Sequence, residues 1–221
     1  LFPKERSYSE INEKEFSLID SPTKVENNSK TVMVRNLPKG TTPDDLFKLF
    51  GMYGNVMKVK IFYKAPDNGL VQFQECNQAS LAKKYLNNCP FRDKILLVSL
   101  SKSEITSFSQ ESNEYFKDFS NQKGHRYRKV GSKNFKNIAQ PSQVLHLSNL
   151  SDVDPLTYVE LFKECGTVVK HMVLSGDSQT LLIEMENLRQ AVDALVRFHN
   201  YELDGKYLKV SFSKYENIKF L

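Results

Sequence analysis

No apolar run in this chain approaches the roughly 20 residues that cross a bilayer as a helix, so a membrane-spanning helix is excluded and a soluble chain is expected. Cysteine is scarce. Cys76, Cys89 and Cys165 are too few and too scattered for a disulfide framework or a zinc site, which points to a reducing compartment. No Ser/His/Asp, metal-ligand or paired-carboxylate constellation can be assembled, so neither enzyme activity, nor a metal, nor a cofactor is expected. Gly131-Ser132-Lys133 lacks the spacing of a phosphate-binding loop. Acids are missing between Asp118 and Asp152, while Lys123, Arg126, Arg128, Lys129, Lys133 and Lys136 all fall there. With a net charge of +5, that local excess makes an anionic partner plausible. The chain begins at Leu1 instead of Met, and a fragment of a longer protein is expected.

What is present is a repeat. Hydrophobic residues make up 40% of 221 residues, enough for two packed units. Asn36-Leu37, Leu49-Phe50, Gly54 and Val56 are answered by Asn149-Leu150, Leu161-Phe162, Gly166 and Val168. Later, LVQF at 70–73 answers LIEM at 182–185, and LLVSLSK at 96–102 answers LKVSFSK at 208–214. Thr42, Pro43 and Asp45 form a helix-start pattern with a capping box, and Asp154-Pro155 starts the matching helix. Second helices are predicted near 76–88 and 187–199 from the spacing of Ala79, Ala82 and Leu86, and of Leu188, Ala191 and Leu195. Period-2 patterning sets strands near 31–36, 56–63, 69–74 and 95–101, then near 143–149, 168–174, 180–185 and 207–213. The order is β-α-β-β-α-β twice, an α+β plan of two ferredoxin-like units. Each has a four-stranded antiparallel sheet backed by two helices, and the first has room for a fifth strand.

The hexamers VMVRNL and LHLSNL, with third strands ending LVQF and LIEM, resemble the RNA recognition motif (RRM). The strand endings SLSK and SFSK, and HRYRKVGSKNFKNI at 125–138, are similar to the last two such motifs of the polypyrimidine tract-binding family and the linker between them. The family's usual third-strand aromatics are replaced here by Asn68 and Leu70, and by Thr180 and Leu182. The reading divides the chain into a flexible lead-in over 1–30, a first RRM with a C-terminal extension over 31–110, a linker packed between the units over 111–141, and a second RRM over 142–221.

Strand alternation selects the binding candidates. With Leu145 and Leu147 turned to the core, His146 and Ser148 lie on the open face, and RRMs place a base-stacking ring where His146 stands. Leu208, Val210 and Phe212 turn inward, so Lys209, Ser211 and Ser213 are expected to project beside His146, followed by Lys214. The first unit offers Met33, Arg35, Lys60 and Phe62, with Leu97, Ser99 and Ser101 on its last strand and Lys102 after it. A bulge would substitute Tyr63 for Phe62. A hydroxyl donates and accepts, so such a face suits either pyrimidine. The apolar arc from Ala194 to Val196 is wider than one core stripe needs, and Leu81 and Tyr85 stand off theirs. Packing between units is therefore expected through Leu81, Tyr85, Phe135, Ile138, Val192 and Val196. The resemblance implies single-stranded pyrimidine-rich RNA as ligand and a monomer. It also implies a role in regulating pre-mRNA splicing with splicing factors as further partners, and a nuclear location with shuttling to the cytoplasm. The alternative is a protein-binding module with little RNA affinity, for which the missing aromatics argue.

Overall fold

A computed structural model describes residues 29–103, 105, 114–122, 124–127, 138–174 and 180–218. The lead-in up to residue 28 and Phe135 lie outside the described residues.

The first unit runs β1 (Thr31–Arg35), α1 (Pro43–Phe50), β2 (Val56–Phe62), β3 (Ala65–Phe73), α2 (Cys76–Leu86), a ribbon of β4 (Pro90–Phe91) and β5 (Lys94–Ile95), then β6 (Leu97–Leu100) and β7 (Phe116–Asp118). The second runs β8 (Val144–Ser148), α3 (Pro155–Lys163), β9 (Val168–Leu174), β10 (Thr180–Met185), α4 (Leu188–Phe198), a ribbon of β11 (Glu202–Leu203) and β12 (Lys206–Tyr207), then β13 (Lys209–Phe212). Strands order as β6-β1-β3-β2-β7 and as β13-β8-β10-β9, all pairs antiparallel. The fifth strand of the first sheet is β7, and it falls inside the stretch that sequence reading gave to the linker.

Local chemistry starts the first helix of each unit where the sequence says. The Thr42 hydroxyl accepts from Asp45 N at 3.2 Å, and Asp45 Oδ2 accepts from Thr42 N at 3.0 Å, closing a capping box over α1. Asp154 caps α3 by accepting from Leu156 N at 2.9 Å. The expected last strands begin later than their patterns suggest, because Lys94–Ile95 and Lys206–Tyr207 pair into the ribbons instead. Asparagine holds those ribbons in place. Asn36 and Asn149 end β1 and β8 in the left-handed region, at φ 61° and 59°, which Asn tolerates better than most residues. From there Asn36 Nδ2 donates to Ile95 O at 2.8 Å and Asn149 Nδ2 to Tyr207 O at 2.9 Å.

One buried cluster runs through both units. Val32, Val34, Leu46, Leu49 and Phe50 of the first join Leu145, Leu147, Ala191, Leu195 and Phe198 of the second. Helix α1 packs on α4, and α4 also meets β4, where Arg92 N donates to Asp193 Oδ1 at 2.9 Å. Val192 and Val196 are buried on α4. Leu81 and Tyr85 of α2 are half-buried against the same cluster, as is Ile138. Tyr85 stacks on Tyr53 at 5.2 Å, and the Tyr53 hydroxyl donates to Ala139 O at 3.3 Å.

Chain from the linker wedges into this seam. Tyr127 N donates to Asn55 Oδ1 at 3.3 Å, and His125 meets the Phe47 ring edge-on at 5.4 Å. Arg126, counted in the sequence among cations available to an anion, is committed to the seam: its guanidinium donates to Val210 O and to His199 Nδ1, the latter at 2.9 Å. Burial brings its pKa down to about 10. Val210 N also donates to His199 Nδ1, at 3.2 Å, so that nitrogen is an acceptor and the imidazole proton sits on Nε2. Burial first, then the charges of Arg126, Lys48 and Lys209, hold His199 well below the usual histidine range.

Candidate nucleic-acid interface

Both helices of each unit pack on one side of its sheet, which leaves the opposite side as the open face. In the second unit, register sets Ser211, His146, Leu182 and Met172 in one row across β13, β8, β10 and β9. Lys209 stands opposite Ser148 in the next row. The alternation that turns Leu145 and Leu147 into the core leaves His146 and Ser148 part-exposed. Burial lowers the His146 pKa, so its ring is neutral at pH 7: a flat surface with no charge of its own. Ser211 Oγ donates to His146 O at 3.3 Å, which turns the hydroxyl lone pairs outward.

The corresponding row of the first unit is Ser99, Met33, Leu70, Lys60 and Phe116, from β6 to β7. Arg35 lies between Leu97 and Asn68, with Arg35 and Leu97 exposed. A register shift follows Ile61, yet Phe62 keeps the open face and packs with Met33 against Leu70. Tyr63 projects away and meets the Tyr115 ring edge-on at 5.3 Å. Lys102 and Lys214 are exposed just past the last strands.

Two expected side chains are not where alternation alone puts them. Ser213 and Ser101, expected to project beside Ser211 and Ser99, are buried. The Ser213 hydroxyl accepts from Tyr215 N at 3.1 Å, and the Ser101 hydroxyl accepts from Ser103 N at 3.1 Å. Each serine closes a turn that sends the chain back over the open face. Ser213 therefore shapes the site without presenting its hydroxyl.

What those turns deliver was missed in the sequence. Ile105 is buried with Leu70 and Phe116 on the first sheet, and Ile218 with Val144 and Leu182 on the second. Ile218 N donates to Glu184 Oε2 at 2.8 Å, and Lys170 Nζ donates to Ile218 O at 3.1 Å, fixing the second cap to β10 and β9. Each isoleucine covers the centre of its sheet, where the leucine of the third strand stands. The signal was legible: SKSEI at 101–105 and SKYENI at 213–218 extend the repeat past the last strand. The uncovered ground lies toward β8 and β13 in the second unit and toward β1 and β6 in the first.

The family model described as RNA recognition motif, also called RRM, RBD or RNP domain, matches residues 12–122 and 133–220. Over 196 residues the sequence is 33% identical to polypyrimidine tract-binding protein homolog 3 of Arabidopsis thaliana, covering 87% of this chain and 44% of that protein. The chain thus spans less than half the length of this curated relative. Among solved structures it is similar to RNA recognition domains 1 and 2 of Sex-lethal from Drosophila melanogaster, with 18% identity, a TM-score of 0.31, and coverage of 84% of this chain and 100% of that one. It is also similar to the first two RRM domains of the yeast poly(U) binding protein, with 18% identity, a TM-score of 0.31, and coverage of 82% and 97%.

Proposed function

This chain belongs to the RNA recognition motif family, and on that premise we propose that it binds single-stranded RNA through the open faces of its two sheets, preferring pyrimidine tracts. The observation that carries the reading is the row of Ser211 and His146 beside Ser148 and Lys209. A neutral imidazole offers a face for one base to stack on, which is worth roughly 1–3 kcal/mol and is nearly indifferent to sequence. The adjacent hydroxyls supply the discrimination, because they reach base edges with defined donors and acceptors. Met33, Arg35, Lys60, Phe62, Leu97 and Ser99 form the corresponding surface of the first unit. Lys102, Lys209 and Lys214 take the phosphates. Helices α1 and α4 meet on the sides away from the open faces, so a short oligonucleotide fills one unit at a time.

The wider role rests on the resemblance: a monomeric part of a nuclear regulator of pre-mRNA splicing, working with splicing factors and shuttling to the cytoplasm. A second reading has one observation in its favour. Ile105 and Ile218 cover the sheet centres with apolar side chains, as a module that binds proteins and has little RNA affinity would tolerate. Titration of the whole chain with labelled oligouridylate separates the two. Saturable binding is expected, and His146→Ala should weaken the second unit's share about tenfold for pyrimidine and purine strands alike. No binding at millimolar RNA would leave the protein-binding reading in place.

A further inference from the structure

The two sheets end differently on their β2 and β9 sides. In the first unit β7 borders β2, with Lys58, Val59 and Lys60 opposite Asp118, Lys117 and Phe116. The pairing is extended by Ile61 N donating to Tyr115 O and Phe119 N donating to Met57 O, both at 2.7 Å. Phe119 stacks on Phe47 of α1 at 4.3 Å, and Lys117 pairs with Asp44 of α1 at 2.7 Å. Beneath this added strand Val59 and Ile61 are 0% and 1% exposed.

In the second unit β9 is the edge of its sheet, and among the described residues no strand pairs with its outer side. Aligning Leu49-Phe50 with Leu161-Phe162 and Val56 with Val168 sets Asp44 against Leu156, Phe47 against Val159, Val59 against His171 and Ile61 against Val173. Ile61, 1% exposed beneath the added strand, is answered here by an exposed residue. Val173 is 39% exposed, Val169 50% and Leu156 52%. Natural edge strands are blunted with lysine or proline, or are covered; the lysine of β9, Lys170, is turned to the open face and donates to Ile218 O, and the helix-side face carries neither residue.

We propose that β9 and the neighbouring face of α3 form a docking site for an extended apolar segment of a partner protein, which adds to the sheet as a fifth strand. The segment residues 115–119 provide on the first sheet defines the occupant. Backbone pairing would supply affinity, and alternate side chains would supply selection. At the place of Phe116 the occupant needs an apolar residue facing Met172, the counterpart of Lys60. At the place of Phe119 it needs an apolar residue beside Val169, the counterpart of Met57, because Val159 is already covered at 4% exposure. At the place of Lys117 it needs an aliphatic residue, because Leu156 stands where Asp44 would receive a cation. This selection separates the two edges: a strap with lysine at that place suits β2, and one with an aliphatic residue there suits β9. The place of Phe116 borders the open face, but Val169, Val173 and Leu156 lie on the helix side of the sheet, so a test made through them does not depend on the RNA reading.

The probe is a synthetic peptide of residues 114–120 carrying Lys117→Leu, titrated into the isotope-labelled whole chain and followed by NMR. Amide shifts are expected at Val169, His171, Val173 and Leu156, with the unsubstituted peptide binding about threefold more weakly, because its half-exposed lysine meets Leu156 in place of an anion. Val173→Lys should abolish binding while oligouridylate titration and thermal melting stay unchanged. Should that variant melt early, Leu156→Asp serves as the second arm and should restore preference for the Lys117 peptide. Shifts confined to β2, where the peptide would trade places with β7, or no shifts at all, would overturn the proposal. So would a dimer in sedimentation that Val173→Lys dissolves, since β9 would then pair with a second copy of itself.

Discussion

The two halves of this chain repeat one frame down to single residues, and they differ on the open face and at the sheet edge. Both end their first strand on a left-handed asparagine that holds the ribbon before the last strand. Both use a serine turn to carry an isoleucine onto the open face. The shared parts answer demands of the fold: a chain reversal, a satisfied carbonyl, a covered leucine. At the centre of the face, however, Met33 with Arg35 in the first unit stands where His146 with Ser148 stands in the second. The first face is the more cationic and aliphatic, whereas the second offers a neutral ring among hydroxyls. At the edge, β7 seals the first sheet, while among the described residues no strand borders β9 on the second. The scaffold repeats, and these differences lie on the open face and at the edge, outside the shared core.

The edge difference can be broken by removing the residue that anchors β7. Phe119 is fully buried and stacked on Phe47, so Phe119→Ala should cost about 3–5 kcal/mol, the range for a buried phenylalanine. Denaturant titration measures the loss. Hydrogen exchange should report it at β2 amides, while amides of β9, which has no such anchor, change little. Equal loss at both edges would mean that β7 is a passive neighbour and not a seal.

Much of this frame was legible in the sequence. Period-2 strands, the Thr42 and Asp154 helix starts and the duplicated anchors give the order of elements because each is a local rule. Alternation also found the row containing His146 and Ser211. It failed at Ser213 and Ser101, since alternation says which way a side chain leaves a strand but not that the chain will turn back over it. It missed Ile105 and Ile218 for the same reason: their burial depends on a turn beyond the last strand. Arg126 looked available to an anion because nothing local to it shows that His199 and the Val210 carbonyl lie against it. A fifth strand was expected in the first sheet but its place was not, because a three-residue strand has no periodicity to detect.

The seam supplies the next effect in size, and it sharpens the comparison because its histidine belongs to the second unit and its cations come from both. His199 is held well below the usual histidine range, by burial first and then by Arg126, Lys48 and Lys209. Its unfolded form takes up a proton as pH falls below about 6.5 while the folded form does not. The unfolded state then binds more protons, so stability is full above that pH and falls as pH drops, by up to about 1.4 kcal/mol per pH unit until the folded pKa is reached. His146, also lowered by burial, adds in the same direction. Urea titrations at pH 7.5, 6.5 and 5.5 test this. His199→Asn, whose Oδ1 can accept in place of Nδ1, should flatten most of the dependence, and an unchanged slope would assign it elsewhere.

The smallest expected effect tests the proposed reading of bases by the two faces. Ser211 and Ser99 are counterparts, the first opposite His146 and the second opposite Met33. The Ser211 hydroxyl spends its hydrogen on His146 O at 3.3 Å, which leaves it to act outward as an acceptor. An acceptor meets the N4 amino group of cytosine better than O4 of uracil, which needs a donor. Ser211→Ala should therefore cost about 0.5–1.5 kcal/mol, the net worth of one hydrogen bond. That is less than the loss from His146→Ala, because a base stacked on a ring gains more than one hydrogen bond to a hydroxyl supplies. The loss should also be greater for oligocytidylate than for oligouridylate. Ser99→Ala, measured in the same whole chain, serves as the comparison, with Met33 offering no ring beside it. Calorimetric titration with the two homopolymers reads both quantities. Equal losses on cytosine and uracil would mean that the Ser211 hydroxyl turns to suit either base, and pyrimidine selection would then rest on the space beside His146 and not on donor pattern.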